Sequence, residues 1–340
     1  VRFEFYHEGL AGTPLVSVDG TVDDALHLSH WKGNTTPAEL RADTSTEIAL
    51  NFAAWPGREE WARGVEAVTN NHFDADGVLS VWAVLNGGRA LELRDELIAA
   101  AEAGDFSEFP NERAVRVAVL LQGGDNPFVP GVNSPLVAHL AGGAEVDEGR
   151  AYELVLPEVE RVLTRTDEYE PLWRKGWEEI ARGLDSFARG ASRVEEDAES
   201  RLSVVTLAPE LYGESGFDPA RCATPFTAVA HNARGEVFLV AAPSGGGWSY
   251  RIDYPYYSWA ETVTRPRVAR RDLAPLVGRL NEMEGAAGGG EWKPDRSELT
   301  SAVKFLGAGG KPSASRLRPE EVAAELRAEL LGHVPAARAS

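Results

Sequence analysis

Residues 65–85 read VEAVTNNHFDADGVLSVWAVL, and this stretch decides the fold. Residues 65–71, VEAVTNN, have the texture of a buried strand, closed by the turn-forming HFDADG. From Val78 to Leu85 the run is apolar on nearly every side, which suits a helix buried against a sheet and ending near Asn86-Gly87-Gly88. A second helix is expected over roughly 89–103, stopped by Gly104. Upstream, residues 14–19 (PLVSVD) read as a short buried strand. Residues 45–54 (STEIALNFAA) have helical spacing, with Thr44 or Ser45 as N-cap and Glu47 in the first turn. Strand, acidic turn and buried helix together predict an α/β layer arrangement.

Further along, residues 111–122 and 146–199 are helical in pattern, with Pro157 and Pro171 expected to break the second run. Trp173 and Trp177 fall at i, i+4 and are expected to pack inward, and RVEEDAESR (193–201) reads as a charged helix end or linker. Beyond it the texture turns to strands: RLSVVTLAP, TPFTAVAHN, GEVFLVAAP and GWSYRIDY. Residues 232–235 and 244–247 supply hairpin turns. Helices over 270–284 and 319–331 complete a second α/β region. The expected organisation is a layered α/β domain with a metal site over 1–145, a helical connector over 146–200, and a smaller C-terminal α/β domain over 201–340.

The chain has 340 residues, 43% hydrophobic and 26% charged, enough to bury ordinary cores. No apolar run approaches the roughly 18–20 residues of a membrane span, and the first residues lack a signal-like pattern. A single cysteine, Cys222, excludes an internal disulfide framework and Cys-cluster metal sites, so cytoplasm is the expected compartment. Net charge is −19, and it is uneven: 19 acids face 7 bases over 1–110, 18 face 10 over 111–200, and 16 face 17 over 201–340. Long nucleic acid is therefore not an expected partner, because phosphate neutralisation needs clustered Lys and Arg. A small phosphate-containing ligand is compatible with this balance if cations supply positive charge. The acidity is equally compatible with a role in solubility alone.

The chemistry concentrates in Asn71-His72-Phe73-Asp74-Ala75-Asp76-Gly77-Val78-Leu79-Ser80. His72, Asp74 and Asp76 alternate, so in an extended segment they point the same way from the carboxyl edge of a sheet. One imidazole and two carboxylates form a hard N/O cluster suited to Mn²⁺ or Mg²⁺. Gly77 allows the turn, and Ser80 in the first helical turn is expected to help hold an anion. Asp-rich turns also serve as helix caps, or begin Ca²⁺ loops. Counting from Asp74, however, the twelfth position is Leu85 where such a loop needs Glu.

VTNNHFDADGVLSVW (68–82) resembles the first motif of the DHH phosphoesterase superfamily, in which a strand delivers H-x-D-x-D-G and a helix follows. The resemblance implies that His72, Asp74 and Asp76 bind one or two Mn²⁺ or Mg²⁺ ions, and that the reaction is hydrolysis of a phosphodiester or phosphoanhydride. The chain contains no Asp-His-His triplet, and Gly288-Gly289-Gly290-Glu291 carries Glu where the superfamily's C-terminal motif has His. As a whole it looks like a group of bacterial proteins apart from the known DHH enzymes. In VSVDGTVDDALHLSHWKGNTTP (16–37), Asp19 ends a strand and His27 and His30 follow. DTSTEIALNF after it is similar to the helix start behind the DHH triplet. On that likeness the two halves are permuted, and Asp19 and His30 join the metal site. The alternative is that Asp19 starts a turn and His30-Trp31 cover the sheet edge. Asp105 is a candidate bridging carboxylate, with Asp43 and Asp125 behind it.

For substrate, Arg265, Arg267, Arg270 and Arg271 follow Tyr254, Tyr256, Tyr257 and Trp259. Arginine forks grip phosphate and aromatic faces stack on bases, although core aromatics and surface arginines give the same pattern. His139, His231 and His333 are isolated and carry no motif. Gly-x-Ser-x-Gly, Walker, Rossmann and His-Glu-x-x-His patterns are absent. The expected function is a divalent-metal-dependent phosphoesterase acting on a small nucleotide-like substrate. The alternatives are a non-catalytic nucleotide- or metal-binding protein on the same scaffold, and a metal enzyme of other chemistry such as amide hydrolysis.

Overall fold

The computed structural model describes every residue except 125–130, 212–225, 286–288, 295–301, 312 and 333–340. Asp125, Cys222, Gly288 and His333 therefore lie outside the described residues. The chain divides into two compact units. Of the described residues, the first comprises 1–124, 131–179 and 257–267, and the second those within 180–256 and 268–332. The expected helical connector is thus no separate piece: residues 146–179 belong to the first unit, and a segment from beyond residue 250 returns to it.

In the first unit, strands β1 (Arg2–Phe3), β2 (Leu15–Val18), β3 (Leu26–Leu28) and β4 (Ala67–Thr69) form a sheet in the order β1-β4-β2-β3. Every pairing is parallel, with Leu15 opposite Ala67 and Val16 opposite Leu26. All residues of β2 and β4 are buried, so both faces of the sheet are covered, as parallel sheets require. Parallel strands normally need a helical crossover, yet β2 reaches β3 through residues 19–25 alone. The short link depends on left-handed backbone at Asp19 (φ 66°) and Asp24 (φ 61°), a conformation aspartate tolerates better than most residues.

Helix α1 (Ser45–Ala54) starts where expected, with Thr44 Oγ1 accepting from Glu47 N at 3.2 Å. A short α2 (Arg58–Trp61) precedes β4. Helix α3 (Ala75–Glu92) is capped by Asp74, whose Oδ1 accepts from Gly77 N at 2.7 Å. At Gly87 (φ 40°, ψ −102°) the backbone leaves helical geometry and two helical pieces meet, where the helix was expected to end, and α4 (Arg94–Asp105) follows. Helices α5 (Glu112–Gln122), α6 (Pro135–Leu140), α7 (Glu148–Val155) and α8 (Val159–Thr164) complete the layer, and α9 (Glu170–Ala188) contains the division between units. Pro157 sits in a 3₁₀ turn between α7 and α8, while Pro171 lies in the first turn of α9, where its missing N–H breaks nothing. Trp173 is buried and Trp177 half-buried, and the two rings hold the Arg116 guanidinium at 4.5 and 5.0 Å.

The second unit is built on a six-stranded sheet ordered β5-β6-β7-β8-β10-β9. Its strands are β5 (Arg193–Asp197), β6 (Leu202–Thr206), β7 (Val237–Ser244), β8 (Gly247–Asp253), β9 (Gly290–Pro294) and β10 (Val303–Gly307). Among the described residues of this sheet only β6 and β7 pair in parallel. The expected hairpin at 244–247 is present, with Gly245 (φ 53°) and Gly246 (φ 83°) supplying the positive φ its two-residue turn needs. Three expectations are corrected. Residues 232–235 lead from α10 into β7 and, with β6 and β7 parallel, form no hairpin. Residues 193–197 form an edge strand rather than a helix end. Within the expected strand TPFTAVAHN, Phe226–Asn232 is helix α10, packed on Phe238 and Val240. Helices α11 (Ala274–Glu284) and α12 (Pro319–Leu330) agree with expectation. Among the described residues no helix is long and apolar enough to cross a membrane.

Candidate metal centre

Three parallel strands of the first unit end at one edge, and an aspartate or histidine follows each of them there. Asp19 directly follows β2, His30 stands two residues after the end of β3, His72 and Asp74 lie in the β4–α3 turn, and Asp76 sits in the first turn of α3, so the three are not aligned along one extended segment as expected. Asp105 joins them from the last residue of α4. The carboxyl edge of a parallel sheet is where open α/β folds place their ligands.

Two histidines organise the cluster in the same way. His30 Nδ1 lies 2.7 Å from the Asp43 carbonyl oxygen, an acceptor only, so this nitrogen carries the proton. His30 Nε2 then faces Asp105 Oδ2 at 3.3 Å, Asp19 Oδ1 at 3.6 Å and Asp76 Oδ2 at 3.7 Å. His72 Nδ1 is 3.0 Å from Asn71 Oδ1, and Asn71 Nδ2 donates to Thr21 O, which fixes that amide with its oxygen toward the imidazole. His72 Nε2 faces Asp19 Oδ2 at 2.8 Å and Asp74 Oδ2 at 3.2 Å. An imidazole anchored through Nδ1 and presenting Nε2 is the arrangement metal-binding histidines adopt.

The facing atoms do not satisfy one another. His30 Nε2, His72 Nε2, Asp19 Oδ2 and Asp105 Oδ2 are buried and lack an aligned hydrogen-bond partner, although ion-pair distances separate them. Buried polar groups without partners are costly, and acceptor nitrogens facing acceptor oxygens require a proton or a cation between them. Two ligand sets meet the geometry: Asp19, His72 and Asp74 in one, Asp19, His30 and Asp76 in the other, with the ligand atoms of each set within 4.8 Å of one another. Asp19 belongs to both. With both imidazoles deprotonated at Nε2, as metal ligation requires, four carboxylates match the charge of two divalent cations.

Electrostatics point the same way. Burial, with the Asp19 charge adding to it, pushes Asp76 up to about 6. Burial and then the Asp76, Asp74 and Asp19 charges drive Asp105 well above the usual carboxylate range. For Asp19 burial acts upward, but His72, His30 and the Ser45 hydroxyl together hold it low. His72 is raised well above its usual value, burial opposing and the Asp74 and Asp19 charges prevailing. The set carries more negative charge than its own protons neutralise comfortably.

Backbone and neutral side chains hold the six groups in place. Asp76 accepts from Ser45 N (2.7 Å) and Thr46 N (2.8 Å), using free N–H groups at the start of α1. Ser45 Oγ donates to Asp19 Oδ1 at 2.8 Å. Asn70 joins two strand ends: its Oδ1 accepts from Gly20 N and Asn71 N, and its Nδ2 donates to the Tyr152 hydroxyl, which donates to His72 O at 3.0 Å. A Cβ on Gly77 would lie 2.5 Å from Asn70 Nδ2 and 2.6 Å from the Tyr152 hydroxyl oxygen, so the turn is closed to larger residues. Gln122 accepts from Ala75 N (3.0 Å) and donates to Gly104 O (2.8 Å), tying the β4–α3 turn to the end of α4. The sequence reading had assigned no role to Asn70, Gln122 or Tyr152; Asn70 stands two residues before His72, whereas Gln122 and Tyr152 carry no local signal.

Several expected ligands are engaged elsewhere. Ser80 is fully buried and its hydroxyl donates back to Gly77 O at 3.0 Å, so it offers nothing to an anion. Arg265 spends its fork on Glu108, Glu102 and Asp43. Arg270 lies 4.9 Å over the Tyr254 ring and Arg271 donates to Leu330 O at the end of α12, both in the second unit. Arg267 is exposed. His27 is buried between Val22 O and Thr35 N, Asp43 is taken up by the 263–265 backbone and Arg265, and His139 and His231 are exposed.

Fold and site together define an α/β protein whose first unit carries buried aspartates and histidines able to hold a metal ion. A family model described as Family of unknown function (DUF6687) matches residues 2–335, and the chain belongs to that family. No curated protein matches it.

Proposed function

We propose that this protein is a divalent-cation-dependent phosphoesterase, hydrolysing a phosphodiester or phosphoanhydride bond in a small, nucleotide-like substrate with Mn²⁺ or Mg²⁺. The observation that carries the reading is Asp19 shared between two ligand sets whose histidine Nε2 atoms are buried without partners. Two ions in such a setting polarise phosphoryl oxygens and acidify a water. The likeness of HFDADG to the first DHH motif adds support, with Asp19 and His30 supplying the other half from earlier in the chain.

The residues divide the labour by exposure. The His72 and Asp74 side chains are 25% and 29% exposed, whereas Asp19, His30 and Asp76 are at most 1% exposed. Substrate and water therefore approach from the His72–Asp74 side, and the His30–Asp76 side is held dry. Asp76 keeps its orientation through two backbone N–H groups, which leaves its remaining lone pairs for a cation. A cytoplasmic setting goes with this reading, on the single cysteine of the chain.

The test is turnover of a chromogenic phosphodiester and of small nucleotides by metal-depleted protein re-supplied with Mn²⁺, beside Asp74→Asn and Asp76→Ala. The parent turns over and both variants lose most of that activity. Equal rates in parent and variants overturn the proposal, and nucleotide binding without turnover in the Mn²⁺-loaded parent favours a binding protein instead.

A further inference from the structure

Arg265 makes more ionic contacts than any expected phosphate-binding residue needs, and all of them converge on the His30 side of the centre. Its Nε donates to Glu108 Oε1 at 2.8 Å, its Nη2 to Glu102 Oε1 at 2.7 Å and Glu108 Oε2 at 2.5 Å, and its Nη1 to Asp43 Oδ2 at 2.6 Å. Glu102 and Glu108 bracket Asp105 in sequence, three residues to either side. The Asp43 carbonyl oxygen is the acceptor that fixes His30 Nδ1. The same guanidinium stands 4.9 Å over the Phe106 ring, which lies 5.8 Å from the His30 ring. Glu261 N donates to His30 O at 2.8 Å, and Trp259 meets the His30 ring edge-on at 5.0 Å.

We propose that Arg265 is a positioning residue for one cation position only, that of Asp19, His30, Asp76 and Asp105; this rests on the two-ion reading above. Its fork ties the loop before α1, whose Asp43 carbonyl anchors His30, to the end of α4, which delivers Asp105. One guanidinium offsets part of the charge of three carboxylates and bonds all three at once, and a lysine, with the same charge but no planar fork, is a poor replacement. His72 and Asp74 are held by other means: Asn71 Oδ1, the Tyr152 bond to His72 O, and Gly77 N. Outer residues of this kind commonly change metal affinity by roughly 10–100-fold. The segment 257–267 thus has a role that its sequence, aromatic then basic, disguises as ligand binding.

The experiment is Mn²⁺ titration of the metal-depleted full chain by calorimetry, with the paramagnetic resonance spectrum of the loaded protein, for the parent, Arg265→Ala and Arg265→Lys. The parent takes two ions and shows a spin-coupled spectrum. Arg265→Ala keeps the first ion within about threefold and loses roughly tenfold or more on the second, leaving the spectrum of an isolated ion. Arg265→Lys falls between, and decides the matter alone if the alanine variant does not fold. Equal weakening of both ions, as general destabilisation produces, overturns the inference, as does no change in either. A parent that takes fewer than two ions overturns the two-ion reading itself, and this inference with it.

Discussion

Asp105 reports most directly on the balance of charge in the centre. Held well above the usual carboxylate range by burial and three neighbouring aspartates, it costs folding energy whenever it ionises without a cation. Asp105→Asn is expected to stabilise the metal-depleted protein by about 1–2 kcal/mol near neutral pH while reducing the stabilisation Mn²⁺ confers. Thermal melts with chelator and with Mn²⁺ check both halves. Asp76 gives the pH dependence. Its pKa is pushed up to about 6, mainly by burial, so in the folded state it releases its proton later than in the unfolded chain. The protein then binds more protons folded than unfolded between about pH 4 and 6, and stability falls as pH rises through that window. Urea midpoints in chelator are expected to drop across it by on the order of 2–3 kcal/mol relative to Asp76→Asn, and saturating Mn²⁺ is expected to remove the drop. His72, Asp74 and Asp76 were legible because their chemistry is compressed into one turn, and Asp19 and His30 were suggested by a likeness of pattern. Arg265 was misread because an arginine bound for carboxylates has the same sequence signature as one bound for phosphate.

Helix α1 binds the two halves of the site through its first N–H groups. Ser45 N and Thr46 N go to Asp76, and Glu47 N goes to the Thr44 hydroxyl. Thr44→Ala removes the last of these and is expected to cost about 1 kcal/mol, whereas Thr44→Ser keeps the oxygen and costs less than half of that. Urea denaturation of the two variants checks it, and equal losses would remove the capping argument. This helix was legible to the residue from its cap and spacing. The β4–α3 connection was equally plain, since an acidic turn between apolar runs has few other structures. Residues 193–197 were not legible: an edge strand with one half-buried valine among exposed charges has no alternation to read. Phe226–Asn232 failed for the opposite reason, being a short apolar run whose burial suits strand and helix alike.

At the scale of the whole chain, the sequence conveyed two α/β regions but not their membership. Compact units are made by contacts between distant segments, and the return of Tyr257–Arg267 to the first unit depends on Arg265, Trp259 and Glu261 meeting partners more than a hundred residues away. No local pattern encodes such a pairing. The single most direct test is anomalous diffraction at the manganese edge from crystals grown with Mn²⁺. The account predicts two strong peaks, one on each side of the Asp19 carboxylate, the first against His72 and Asp74 and the second against His30 and Asp76. A map without a peak at Asp19, with its carboxylate paired to protonated histidines instead, would contradict it.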